Sequence, residues 1–376
     1  MRLLVTAPPA PGAAAPAGLI DVAEAVRTVR ELAPAGELPA PEQARALVRE
    51  LRAAAGTAEG LVFEVMALPP ATEAQARRAM AAGSVAIVDR LGWAEANART
   101  FAQLAAELEP LVARPQGSGL GRLAGRLPGA RRASQLLARR TASAQTGAVL
   151  AILSGRVLGQ FDPFGAEGRL LLVAPNVYRI ERALRAVPRD FRLWVALHEQ
   201  THRAQFAAAP WLRAHLRELL AQFAAGADPD YRRLGAVLRR LPDALRRRAS
   251  LIDVTADPAQ QRVLDRVTAV MSLLEGHADV VMDAVGPGVI PTVADIRRAF
   301  DTRRADAGGV RGAVADLLGL TAKLRQYERG AVFVRAVVAA RGHTGLARVW
   351  EGPDLLPAPE EIADPDRWLA RVPAHG

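Results

Sequence analysis

The chain has 376 residues, 50% of them hydrophobic and 23% charged, enough for one large domain or two modest ones with a sizeable core. Ordinary glycine and proline numbers, 31 and 26, exclude a collagen-like or wholly disordered chain. The absence of cysteine excludes disulfide scaffolds, thiolate zinc ribbons, iron–sulfur clusters and thiol nucleophiles, so any metal site must use His, Asp and Glu.

The net charge of +10 resembles a nucleic-acid signature, but Lys323 is the sole lysine, and the arginine and alanine richness fits a GC-rich coding sequence better than selection for polyanions. Arginines 122, 126, 131, 132, 139 and 140 cluster without interleaved aromatics or a recognisable binding motif, so the segment reads as a solvated stretch and not a nucleic-acid site. No segment reaches the ~18 uninterrupted apolar residues of a membrane helix. Pro8, Pro9 and Pro11 break the N-terminal apolar run too early for a secretory signal. These features predict a soluble, cytoplasmic protein.

Residues 1–18 are Ala/Pro-rich and are expected to be extended or disordered. Residues 19–112 read as a helical N-terminal region, with apolar residues at three- and four-residue steps over 20–32, 41–56, 71–91 and 93–112. Residues 113–142 are Gly/Arg-rich and read as a loop, and 143–376 as the catalytic region. After an apolar helix over 143–159, the turn-forming FDPFGAEG leads into RLLLVAP, the one convincing strand. Asn176 is placed to cap the helix that follows. Further helices are expected over 176–187, 190–209, 211–226, 264–285, 293–305, 308–320 and 321–341. The pattern predicts a mainly α protein with a small β-sheet.

Within the helix over 190–209 stands His198-Glu199-Gln200-Thr201-His202. Residues four apart share a helix face, so two imidazoles at this spacing can hold one zinc ion, and Glu199, one step round, can take a proton from water at that ion. Chance placement of HExxH in a chain of this composition has an expectation of about 0.005. The apolar Leu193–Leu197 run puts the motif in buried surroundings, where His and Glu need partners.

A catalytic zinc takes a third protein ligand and keeps one open position. Glu275 and Asp279 share a face of the helix over 264–285; one carboxylate can bind the metal and the other can orient a ligand imidazole. Gly276 suits close packing of this helix on the HExxH helix. His277 is the alternative ligand, about 200° round the helix from Glu275. Tyr327 is a candidate donor to a developing oxyanion, set against simple packing. His343 lies in an expected loop, His215 is expected to be structural, and the strand at 169–173 is a candidate edge for peptide addition.

HExxH followed by E-x-x-x-D, 73 residues on (275 − 202), resembles the Glu-zincin metallopeptidases. The stretches Ala86–Asn97, LSGRVLGQFDPF, RLLLVAPNV, LWVALHEQTH, LLEGHADVVMDAV, LRQYERGAVFV and Asp364–Val372 resemble a bacterial family of zincin-like zinc-dependent metalloproteases, also labelled deazaflavin-coenzyme-biosynthesis-associated proteins. The resemblance implies a zincin-like fold with a helical N-terminal part, one zinc on His198, His202 and Glu275, and Asp279 supporting a ligand histidine. Sequence and resemblance together predict a zinc metallohydrolase, most simply a peptidase with Glu199 as general base. A hydrolase of a small amide or ester, or a silent zincin-shaped scaffold, are the alternatives.

Overall fold

The computed structural model describes residues 20–33, 39–111, 128–165, 168–226, 257–305 and 320–374. In chain order the elements are α1 (Val22–Leu32), α2 (Pro41–Met66), α3 (Pro70–Ala82), β1 (Val85–Val88), α4 (Arg90–Leu108) and α5 (Pro128–Ser154). Then come β2 (Gly159–Asp162), β3 (Arg169–Val173), α6 (Ala174–Ala183), α7 (Pro188–Ala208) and α8 (Leu212–Ala225). The C-terminal part holds α9 (Pro258–Val289), α10 (Val293–Ala305), α11 (Leu320–Leu346), α12 (Pro359–Ala363) and α13 (Pro365–Arg371). The mainly helical expectation with a small sheet holds. Among the described residues no helix is long and apolar enough to cross a membrane.

The sheet has three strands in the order β1-β3-β2, with β1 parallel and β2 antiparallel to β3. Alternation along β3 divides the core. Leu170 and Leu172 enter the larger cluster with α2, α7 and α9, while Leu171 and Val173 enter a smaller one with α1, α4 and α5. A strand buried on both faces reads as the continuous apolar run seen in RLLLV.

Two expectations about the sheet fail here. Residues 85–88 are a strand and not part of a helix over 71–91: Gly83 ends α3, and the β-branched Val85, Ile87 and Val88 pair with β3. Strand β3 is central and paired on both sides, which removes it as an edge for peptide addition.

The stretch expected as a loop over 113–142 is helical from Pro128, and its first part lies outside the described residues. Arg139 on α5 pairs with Asp21 at 3.3 Å, the residue that caps α1. Asn176 is not a cap; its amide donates to the Ser154 and Val157 carbonyls at 2.7 Å each, and its oxygen accepts from Arg90 at 2.8 Å. Helix α9 opens at a capping box of Asp257 and Gln260, six residues before the expected start, and breaks at Gly286 (φ 65°). The expected helix over 308–320 lies almost wholly outside the described residues.

Helix α7 is buried along nearly its whole length. Its polar side chains are spent on neighbours. Arg192 donates to both Glu181 oxygens at 2.8 and 2.6 Å and pairs with Glu50 of α2. Gln200 donates to the Ala55 carbonyl at 2.9 Å, and Arg203 donates to the Met80 carbonyl. The helix that bears HExxH is thereby pinned to α2, α3 and α6.

Candidate metal centre

The four-residue spacing on α7 sets His198 and His202 edge to face, with ring centroids 4.6 Å apart and the rings at 88°. Their Nε2 atoms converge to 3.2 Å. Glu275 on α9 completes the group, its two carboxylate oxygens 3.6 Å from His198 Nε2 and 3.7 Å from His202 Nε2. Among the described residues these three form a group able to hold a metal ion. Donors about 2.0–2.1 Å from a tetrahedral ion stand roughly 3.3–3.5 Å from one another, so both the spacing and the two-imidazole, one-carboxylate chemistry fit zinc. All three are partly exposed, which leaves a side open to solvent.

Glu199 points to the sheet. It is buried, accepts the Phe161 N–H of β2, and lies against Gly159. Burial, reinforced by the nearby Glu275 carboxylate, pushes Glu199 up to about 8, with the Phe161 N–H acting in the opposite direction. A Cβ at Gly159 would come within 2.5 Å of Glu199 Cγ. Gly159→Ala must therefore move the carboxylate or the strand. It is expected to lower turnover by about 10²-fold, the scale of an ångström-sized misplacement, with zinc content retained. Parallel measurements of kcat and bound metal check this.

The sequence matches the zincin-like metallopeptidase family over residues 20–369. The chain belongs to that family. Among solved structures, this zincin-like chain is similar to a protein from Chloroflexus aurantiacus described as a candidate hydrolase with a novel fold. The two share 30% identity, with 95% of this chain and 100% of that chain covered and a TM-score of 0.61. A comparison with curated proteins found no match.

Other expected site residues of this zincin-like chain stand elsewhere. Asp279 does not orient a ligand histidine. Its Oδ1 accepts from Arg297 at 3.1 Å and its Oδ2 faces Arg335 at 3.8 Å, because α10 and α11 bring cations to that face. Arg297 and Arg335 also pair with Asp283, at 2.7 and 3.0 Å. His277 lies outside the ligand group and is buried, with its ring edge-on to Trp350 at a centroid distance of 5.2 Å. Burial pushes its pKa down to about 3, so it is neutral. Tyr327 lies on α11, and its side chain is outside the described residues. His343 is on α11 and not in a loop, just past Gly342 (φ 68°), and burial lowers its pKa. His215 packs edge-on to Trp211 at 6.1 Å, in keeping with a structural role.

The contact of Gly276 also differs from expectation. A Cβ there would meet the Gly330 carbonyl carbon of α11 at 2.2 Å, so the glycine serves the α9–α11 crossing and not the approach to α7. Glu275, one residue back and 100° round, is left facing the histidines.

Sequence reasoning missed Gln205. It is fully buried, and its Oε1 lies 3.0 Å from His202 Nδ1. The available signal was spacing: Gln205 follows His202 by three residues, on the same helix face.

Proposed function

We propose that this chain is a zinc-dependent metallohydrolase, most simply a peptidase, in which His198, His202 and Glu275 hold the metal and Glu199 is the general base. The convergence of three donor side chains from two helices, with a buried carboxylate beside them, carries this reading. A zinc ion bound there supplies a Lewis acid that lowers the pKa of water towards ~7, and a positive charge that favours the ionised form of Glu199.

Glu199 accepts the proton of the attacking water as the carbon–oxygen bond forms. It then delivers that proton to the leaving nitrogen as the carbon–nitrogen bond breaks. The Phe161 N–H holds the carboxylate in place, and its burial keeps bulk water from it.

A peptide is favoured over a small amide by strand β2. Gly159 opposes Leu172, and the ladder bond at this point runs from Val173 N–H to the Leu158 carbonyl at 2.8 Å. The N–H and C=O of Gly159 therefore point to the outer edge of the sheet, beside Glu199, where extended backbone can pair. Incubation of the zinc-loaded protein with a peptide library, and separately with small amides and esters, tests this. Peptide cleavage abolished by a chelator is expected. Turnover confined to small amides or esters would replace the substrate class, and no turnover at all would favour a scaffold.

A further inference from the structure

We propose that Gln205 is a positioning residue that fixes the tautomer of His202 and ties it to the Leu274 carbonyl, one residue before Glu275, with His277 locking the Gln205 amide. This deepens the metal-centre reading and rests on it. Gln205 Nε2 lies 2.9 Å from the Leu274 carbonyl and 2.9 Å from His277 Nδ1, while its Oε1 lies 3.0 Å from His202 Nδ1.

The assignment follows from what each group can do. A backbone carbonyl only accepts, so the end of the amide that faces Leu274 is the NH2. The two N–H groups of that NH2 are then committed, one to Leu274 and one to His277 Nδ1. His277 is the acceptor in that pair, so its Nδ1 carries no proton. The carboxamide oxygen is left facing His202, and it accepts. His202 Nδ1 must therefore carry the ring proton, which leaves the Nε2 lone pair for the metal. Turning the amide over would set its oxygen against the Leu274 carbonyl in a fully buried site, a repulsion with no relief from water.

The same amide also joins the two ligand-bearing helices. Leu274 immediately precedes Glu275, so the bond from Gln205 on α7 fixes the peptide that carries the third donor on α9. The edge-on contact of His277 with Trp350 holds that ring, and through it the amide. Asp279, the residue whose spacing suggested this task, is engaged by Arg297 instead.

Two measurements decide it. The first is the zinc dissociation constant by chelator competition for the parent, Gln205→Leu and Gln205→Glu, each checked for folding. Gln205→Leu is expected to weaken zinc binding by about 10–100-fold. Gln205→Glu keeps an oxygen acceptor for His202 but sets its second oxygen against the Leu274 carbonyl, so it is expected to lower the unfolding midpoint while weakening zinc binding less than Gln205→Leu. A merely structural glutamine would lower the unfolding midpoint of both variants and leave zinc affinity unmoved; that result overturns the proposal. The second is the nitrogen-15 spectrum of the metal-free parent, with the His202 signal assigned by its loss in His202→Asn. A protonated Nδ1 is expected, and a protonated Nε2 overturns the proposal even if Gln205→Leu fails to fold. Failure of the parent to bind zinc would strike the metal-centre reading, and the tautomer spectrum would still decide the role of Gln205.

Discussion

Glu199→Gln is expected to retain zinc and to lose about 10²–10⁴-fold in kcat, the usual cost of removing a positioned general base. The amide is nearly isosteric, so it fits the slot between Gly159 and the Phe161 N–H. It cannot take a proton from water. Glu199 is also outside the group able to hold a metal ion, His198, His202 and Glu275. The variant therefore separates catalysis from metal binding. Elemental analysis beside steady-state kinetics checks it, and turnover equal to the parent would remove Glu199 from the mechanism.

Gly330→Ala is expected to cost about 3 kcal/mol or more in stability, at the upper end of overpacking effects. A Cβ at this position would lie 1.8 Å from the Ser272 carbonyl oxygen and 2.5 Å from its carbon. Neither atom belongs to a flexible side chain, so the two helices must separate. Ser272 lies three residues before Glu275 on the same helix, so the displacement reaches the third donor. Zinc affinity is expected to fall together with the unfolding midpoint in urea. A midpoint unchanged from the parent would show that the crossing tolerates a methyl group.

The parts of the centre that local geometry determines were legible in the sequence. His198 and His202 lie four apart on one helix, and an α-helix of ordinary pitch brings them together whatever surrounds it. Glu275 was legible as a carboxylate on a second apolar helix. The reading of Asp279 failed because spacing gives the face of a residue and not its neighbour: Arg297 and Arg335 arrive from helices far along the chain. Gln205 was passed over because a helical glutamine looks solvated until the carbonyl of Leu274 and the ring of His277 are seen against it.

The sheet was read less completely, for the same physical reason. Strand pairing is long-range, and Val85–Val88 acquires its extended form by bonding to residues 170–173. Its flanks are alanine-rich and helical, so the local pattern favoured a continuous helix. The apolar run at 169–173 did announce a buried strand. It did not reveal which neighbours would cover its edges, and so Gly159 and Phe161 on β2 entered the site unanticipated.

In the proposed centre, two helices bring His198, His202 and Glu275 onto one metal ion. Metal content by elemental analysis, on the purified parent and on Glu275→Ala, tests it most directly. About one zinc per chain in the parent, lost or sharply weakened in the variant, is the predicted result. No zinc in the parent after growth with zinc, or full zinc in Glu275→Ala, would contradict the three-donor centre.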